Sequence, residues 1–169
     1  IDERVTRVCE QYFPTVASQV RHEKVNCRFE DAIAYVATCE AEYDVILVDG
    51  SEPVGPAQGL FEREFFQSLK RALKPGGVLS AQAESPFYAP QVVRKTFQGM
   101  RDVFSNVHAY TATCPTYPGG LWTFCLASED RDLDQLRPDG LEGLPTRYLN
   151  PASMRAAFSL PTFVAELTQ

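Results

Sequence analysis

A run of six residues, Tyr43–Val48 (YDVILV), constrains the fold more than any other part of this sequence. The run is almost continuously β-branched or aliphatic, and it ends abruptly at Asp49-Gly50. Strands buried on both faces of a parallel sheet have this composition, because helices cover both sides and leave no solvent face for polar residues. The run therefore predicts a central strand of an α/β sheet.

Segments with helical and strand spacing alternate around this run. Apolar residues recur every three or four positions in the predicted helices, which are 2–13, 30–40, 60–74 and a helix that opens at Pro90. Further strands are predicted at 25–29, 78–84, 107–113 and 121–128. This order is typical of a doubly wound α/β sheet. We expect a mostly parallel sheet that closes with an antiparallel C-terminal hairpin.

Two stretches are predicted to be irregular. The segment GSEPVGPAQG at 50–59 has three glycines and two prolines in ten residues, which predicts a loop. Residues 129–150 are polar and rich in Pro and Gly, as in a connection that crosses the surface. A short helical tail, 154–167, is expected to pack back on the domain.

Composition excludes several classes of protein. The chain has 169 residues, 44% of them hydrophobic, which fits one domain around one core. Lys and Arg total 16 and Asp and Glu total 22, so the net charge of −6 argues against nucleic acid as a partner. No apolar stretch approaches the ~20 residues that span a bilayer, and the N-terminal residues are too charged for a signal peptide. A cytoplasmic protein without membrane partners is predicted.

Cysteine and histidine give no indication of a metal site. The five cysteines contain no CxxC pair, which argues against a disulfide framework and against a zinc ribbon. We expect reduced, mostly buried thiols. His22 and His108 lack a partner at metal-ligand spacing, and we assign them no role.

Acidic residues follow three of the predicted strands. They are Asp31 after 25–29, Asp49 and Glu52 after the central strand, and Glu84 at the end of 78–84. Ligands of open parallel sheets bind beyond the carboxyl ends of the strands, so these carboxylates predict an acidic crevice for a cationic ligand. Each has a structural alternative as well: Asp31 can cap the following helix, and Asp49 can form a turn before Gly50. Tyr117 can likewise be a simple turn aromatic.

Longer motifs resemble one family. Residues 43–87 are similar to the polyamine aminopropyltransferases, spermidine synthases in particular, which carry D-S-S-D-P-x-G-P-A, LF-x-x-x-FY, KPGG and Q-x-E in this order. The turn PTYPGG resembles the family's PTYPSG, and TRYLNPASMRAAFSLPTFV resembles its C-terminal ending. The resemblance covers essentially the whole chain. It implies a Rossmann-like, class I methyltransferase-like fold, and it implies aminopropyl transfer from decarboxylated S-adenosylmethionine, a co-substrate, to putrescine without metal or cofactor.

The resemblance implies that Asp49 is the catalytic acid/base, which would orient the amine of putrescine and accept its proton. It also implies that Asp49 contacts the nucleoside. It implies that the amine is bound by Glu52, Tyr117, Gln82 and Glu84. Glu52 replaces the family's second Asp, which leaves the length preference for the amine open. Gly50 stands in place of a Ser.

On the nucleoside side, the resemblance implies that Asp31 binds the adenine amino group and that Ala32, in place of a Gly, makes the neighbouring backbone contact. Pro56 and Ala57 match a loop that contacts the adenine. The family's GGGDGG loop, its ribose-binding acid and its N-terminal β-domain would lie before Ile1. We therefore expect 1–169 to be a catalytic Rossmann-like domain that is incomplete at its N-terminus.

Three alternatives stay open. Putrescine N-methyltransferases, which use S-adenosylmethionine, share these motifs, although an acidic crevice should repel the carboxylate of that donor. The acceptor can also be agmatine, cadaverine or spermidine. A non-catalytic paralogue that binds polyamines is the third reading. The resemblance further implies a homodimer or homotetramer.

Overall fold

Seven α-helices and four strands form the part of the chain that the computed structural model describes, residues 2–169. The helices are α1 (Glu3–Tyr12), α2 (Pro14–Ala17), α3 (Ala32–Val36), α4 (Arg63–Ala72), α5 (Pro90–Arg101), α6 (Pro151–Ala157) and α7 (Thr162–Leu167). The strands are β1 (Tyr43–Val48), β2 (Leu73–Gln82), β3 (Asn106–Thr113) and β4 (Leu121–Ser128). Short 3-10 helices occupy Gly55–Phe61, Leu133–Gln135 and Pro138–Leu141. The chain divides into two compact units, one up to Tyr35 and one from Val36 to Gln169.

The first unit begins with the predicted N-terminal helix. Asp2 caps α1 by accepting a hydrogen bond of 2.9 Å from the backbone N–H of Arg4. Arg21 pairs with Glu10 of α1 at 2.7 Å. The strand predicted at 25–29 is wrong: these residues are exposed and belong to no helix or strand. An alternating pattern makes a strand only where a neighbouring strand takes its backbone hydrogen bonds, and no described strand does so here.

The second unit contains a four-stranded sheet in the order β1-β2-β4-β3. β1 and β2 are parallel, whereas β4 pairs antiparallel with both β2 and β3. The α/β class and the C-terminal hairpin are thereby confirmed. Within the described residues, parallel pairing is limited to β1 and β2.

The central position predicted for β1 is wrong for the described chain. β1 pairs only with β2 and forms an edge of the sheet, where Val45 is 59% and Leu47 is 76% exposed. The composition of β1 is typical of a strand that is covered on both faces. Within residues 2–169, however, these two apolar side chains stay exposed.

Helices α4 and α5 each bury an apolar face in the core. Phe65, Phe66 and Leu69 of α4 are buried, as the three-and-four spacing of this segment predicted. Val93, Phe97 and Met100 of α5 are fully buried. Leu79 of β2 and Cys125 of β4 are also fully buried, so the core lies between these helices and the sheet.

Several boundaries differ from prediction. Helix α4 is shorter than 60–74, because Gly55–Phe61 forms a separate 3-10 helix within and beyond the predicted loop. β2 begins at Leu73 and includes the Pro75-Gly76-Gly77 segment that was expected to precede it. Gly77 permits this path, because a Cβ there would lie 2.8 Å from the carbonyl oxygen of Lys74. α3 is shorter than the predicted helix 30–40.

The C-terminal region follows the prediction in outline. Residues 129–150 contain only the two short 3-10 helices, and the predicted tail helix is divided into α6 and α7. Pro161 lies at the break, where its ring cannot continue a helix. None of the described helices is long and apolar enough to cross a membrane.

The cysteines are less buried than predicted. Cys39 and Cys125 are buried, but Cys9 and Cys114 are half-buried and Cys27 is exposed. Burial raises the pKa of the Cys125 thiol to about 12. In the described chain, no group of three His, Cys, Asp or Glu side chains is placed to hold a metal ion.

Candidate active site

Asp49 lies where the sequence placed it, at the carboxyl end of β1. Val48, the last residue of β1, pairs with Ala81 of β2, so Asp49 and Gln82 follow at the same end of two parallel strands. The Asp49 side chain is exposed. The next residue, Gly50, is tied to β2, because its carbonyl oxygen accepts a hydrogen bond of 2.9 Å from Gln82 Nε2.

Glu84 is held in an unusual backbone conformation just beyond β2. Its φ is +75°, in the left-handed region that a residue with a Cβ rarely adopts, and it is only 6% exposed. Its N–H donates to Gln82 Oε1 at 2.9 Å, and its carbonyl accepts from the N–H of Thr123 at 3.0 Å. Strain of this kind persists where the surroundings fix the backbone on both sides, and it is concentrated at functional sites.

A cleft of about 450 Å³ opens beside Glu84. Its wall contains three of the residues predicted for the amine site, Glu52, Glu84 and Tyr117. The other lining residues are Pro53, Val54, Ser85, Tyr88, Ala89, Val92, Pro118 and Trp122. The described lining thus has two carboxylates and no Lys, Arg or His, which favours a cation.

Aromatic rings form one side of the cleft. Tyr117 lies in the turn between β3 and β4, and its ring centroid is 4.3 Å from that of Trp122. A hydrogen bond closes this turn: the N–H of Cys114 donates to the carbonyl of Gly120 at 2.8 Å. Aromatic faces pack against methylene groups and attract cations.

A glycine lets this turn approach the start of α5. Gly119 has φ +82°, and a Cβ there would lie 3.2 Å from Phe87 Cδ2 and 3.3 Å from Tyr88 Cε2. The Ser85 hydroxyl accepts from the N–H groups of Phe87 and Tyr88 at 3.3 and 3.4 Å and so shapes that segment. Tyr88 reaches the cleft from this side.

Gln82 occupies a different place from the one predicted for an amine ligand. It is absent from the described lining of the cleft, and it lies instead between Gly50, Glu84 and Trp122. Its Nε2 also donates to Glu84 Oε1 at 3.2 Å, and its Oε1 accepts from Trp122 Nε1 at 3.0 Å.

The residues predicted for the nucleoside lie in two parts of the chain. In the first unit, Asp31 Oδ1 accepts from the N–H of Ile33 at 2.8 Å, so it caps α3, which starts at Ala32. This is the structural alternative considered from sequence. In the second unit, Pro56 and Ala57 lie in the 3-10 helix Gly55–Phe61, which is anchored by the buried Phe61.

Trp122 and Tyr88 were not found by sequence reasoning. Trp122 is the single tryptophan of the chain, and it comes two residues after the Gly119-Gly120 pair. A lone Trp at the start of a strand beside a turn already suspected of binding was a usable indication. Tyr88 had no comparable indication, because its place depends on the turn at Ser85.

The chain is similar to one known family along most of its length. The family described as "Spermine/spermidine synthase domain" matches residues 1–136. The polyamine aminopropyltransferase of Moorella thermoacetica is 42% identical over 169 residues, which are 100% of this chain and 60% of that protein. That of Bacillus cereus (strain ATCC 10987 / NRS 248) is 37% identical over 167 residues, which are 99% of this chain and 61% of that protein.

Solved structures agree with these relatives. A spermidine synthase in complex with the transition state analogue AdoDATO superposes with a TM-score of 0.94 at 27% identity, covering 99% of this chain and 59% of that one. The spermidine synthase of Thermotoga maritima gives a TM-score of 0.89 at 27% identity, covering 99% and 57%. The chain spans about three fifths of the length of the curated relatives that it matches. On the family match and these likenesses together, the chain belongs to the spermine/spermidine synthase family.

Proposed function

We propose that the protein catalyses aminopropyl transfer from decarboxylated S-adenosylmethionine to putrescine, giving spermidine and 5'-methylthioadenosine. The observation that carries this proposal is the cleft, whose described lining combines Glu52 and Glu84 with Tyr117 and Trp122 and contains no basic side chain. A diammonium ion with a short methylene chain fits such a surface: carboxylates bind its ends, and aromatic rings pack on its middle.

The amine must lose a proton before it reacts. A primary ammonium has a pKa of roughly 10, so at neutral pH the substrate arrives protonated and its nitrogen has no free lone pair. Asp49, exposed at the end of β1, is the assigned acceptor of that proton. Its negative charge also attracts the ammonium ion before transfer.

The transfer itself is a substitution at carbon. The amine nitrogen forms a bond to the aminopropyl carbon that is attached to the sulfonium sulfur, and the carbon–sulfur bond breaks. Its electron pair goes to sulfur, which becomes a neutral thioether, while the product keeps its positive charge as a secondary ammonium. The one proton that Asp49 took from the amine before attack then passes to solvent. Since the sulfonium is already activated, the protein supplies positioning and charge. The proposal includes no metal and no cofactor.

Three further assignments belong to this proposal and rest on the family. Asp31 with Ala32, and Pro56 with Ala57, are assigned to the nucleoside. The active protein is assigned as a homodimer or homotetramer, which light scattering would measure. We place it in the cytoplasm, where the free thiols of the described chain would stay reduced.

The test uses the protein expressed from its complete gene. Putrescine is incubated with decarboxylated or with ordinary S-adenosylmethionine, and the amine product is identified by mass spectrometry. Spermidine from the decarboxylated donor is the expected result. N-methylputrescine from the ordinary donor would replace the proposal with methyl transfer, and no product from either donor would favour a binding paralogue.

Two aspartates of one region provide matched variants. Asp49→Asn should abolish turnover in a folded protein, because the proton acceptor is lost. Asp44→Asn, in β1, removes only an exposed ion pair of 2.8 Å with Lys74 and should leave turnover unchanged. Equal activity of the two variants would contradict the role of Asp49.

A further inference from the structure

Gln82 has no hydrogen-bonding capacity left for a ligand. A glutamine amide offers two N–H donors and an oxygen that accepts twice. Both donors are used, by the Gly50 carbonyl at 2.9 Å and by Glu84 Oε1 at 3.2 Å. Both acceptor positions are used as well, by the N–H of Glu84 at 2.9 Å and by Trp122 Nε1 at 3.0 Å.

The orientation of this amide is fixed by its partners. An indole N–H and a backbone N–H can only donate, so the atom that faces Trp122 and the N–H of Glu84 must be the oxygen. The Gly50 carbonyl can only accept, so the atom that faces it must be the nitrogen. Exchanging the two atoms would break all four bonds at once, because the oxygen would face the Gly50 carbonyl and the Glu84 carboxylate and the nitrogen would face two N–H donors.

The bonds of Gln82 connect three separate segments around the proposed reaction centre. Gly50 belongs to the loop that follows Asp49, Glu84 is the buried carboxylate of the cleft, and Trp122 is the second residue of β4. Gly50, the residue next to Asp49, has no side chain to restrict its backbone. The hydrogen bond that its carbonyl accepts from Gln82 therefore limits how far this backbone can move. Glu84, with φ +75°, depends on Gln82 for the hydrogen bond of its N–H.

We infer that Gln82 is a positioning residue that sets Asp49 and Glu84 relative to each other and does not contact the amine. This inference rests on the function proposed above and changes the role that the resemblance implied for Gln82. A ligand could use Gln82 only by breaking a bond to Gly50, Glu84 or Trp122. The gain from such a contact would be offset by the partner left unpaired.

Two substitutions separate the two roles. Gln82→Met removes every hydrogen bond at similar size, and Gln82→Glu keeps the shape but loses both donors and adds a carboxylate beside Glu84. For a positioning residue, kcat falls on the order of 100-fold in both variants, because a catalytic group displaced by about 1 Å loses that much, and the KM for putrescine changes far less. An amine ligand gives the opposite result: in Gln82→Glu the extra negative charge preserves kcat and lowers the KM. That outcome would overturn the inference. Gln98→Glu, on the exposed side of α5, is the matched control and should match the unsubstituted protein.

A second measurement does not depend on activity. The indole N–H resonance of Trp122, assigned by its loss in Trp122→Phe, should shift toward that of an unbonded indole in Gln82→Met and stay in place in Gln98→Glu. If the complete protein transfers no group from either donor, the proposed function fails while this resonance still reports on the network. A resonance that is identical with and without Gln82 would overturn the network itself.

Discussion

Tyr117 packs on Trp122 with ring centroids 4.3 Å apart and ring planes inclined by 31°, so the turn between β3 and β4 presents one continuous aromatic surface to the cleft. The two rings come from opposite sides of a turn that Gly119 and Gly120 make possible with positive φ. The position of each ring therefore depends on the other.

This pairing predicts that the ring of Tyr117 matters for amine binding and that its hydroxyl does not. Tyr117→Ala should raise the KM for putrescine by up to about 10-fold, since an aromatic contact is worth about 0.5–1.5 kcal/mol. Tyr117→Phe should keep the KM, because the ring remains. Because the side chain is 52% exposed, neither change should alter the urea midpoint much. A large KM increase in Tyr117→Phe would assign binding to the hydroxyl instead.

The backbone of Glu84 predicts an inversion of the usual order of stability. Glycine normally destabilises a position relative to alanine, but at φ +75° we expect Glu84→Gly to be more stable than Glu84→Ala by about 1 kcal/mol. Urea unfolding of the two variants measures the difference, and both should lose turnover with the carboxylate. Ala41, with φ +49°, is the matched control. Ala41→Gly should likewise be stabilising but leave turnover unchanged. If Glu84→Ala is the more stable variant, the strain is absent.

The Cys125 thiol predicts a loss of stability in alkali. Its pKa is raised by burial to about 12, whereas the unfolded thiol ionises near the ordinary value of 9.0. Above pH 9 the unfolded state therefore binds fewer protons than the folded state, so the free energy of unfolding falls with pH. The slope from this group is about 1.4 kcal/mol per pH unit, and the contribution is fully retained below pH 9.

Urea unfolding between pH 8 and pH 10 measures this slope. Cys125→Ala should be less stable at pH 8, because it leaves a cavity, and should lose stability less steeply above pH 9. Burial also raises the pKa of Tyr110, against the hydrogen bond from Ser80, and this adds to the decline at the upper end of the range in both proteins. Parallel pH slopes for the two proteins would show that the Cys125 thiol is not responsible.

Glu52 predicts a preference for acceptor length. Glu52 lines the cleft, and its side chain is one methylene longer than the Asp that the family's motif has at this position. Glu52→Asp should favour longer diamines, raising the ratio of kcat/KM for cadaverine to that for putrescine by up to about 10-fold, the usual effect of one methylene. Glu62→Asp, which shortens the acidic side chain of a surface ion pair with Lys95, should leave the ratio unchanged. An unaltered ratio in Glu52→Asp would remove Glu52 from length selection.

Much of the fold could be predicted because local patterns were strong. The spacing of Phe65, Phe66 and Leu69 marked a buried helix face, and the alternation in 107–113 and 121–128 marked a hairpin. The failures share one physical cause. A strand such as the one predicted at 25–29 forms only beside a partner strand. Val45 and Leu47 are buried only where another layer of structure covers them. The local sequence does not show whether such a partner or layer is present.

Some members of the candidate site were predictable, but its connections were not. Glu52, Glu84 and Tyr117 share a cleft because strand ends and a hairpin turn meet at one edge of the sheet. Whether every hydrogen-bonding position of the Gln82 amide is used depends on how side chains from separate strands and loops meet. The same holds for the presence of Trp122 and Tyr88 in the wall of the cleft. Such long-range contacts have no periodicity that a sequence would display.

The stacking of Phe163 on Phe87, 5.1 Å between ring centroids, connects α7 to the segment that leads into α5. Phe87 packs on Gly119 in the turn between β3 and β4, so α7 supports one wall of the cleft through this ring. A change at Phe163 would therefore reach this wall through the ring of Phe87, although Phe163 itself is not among the described residues that line the cleft.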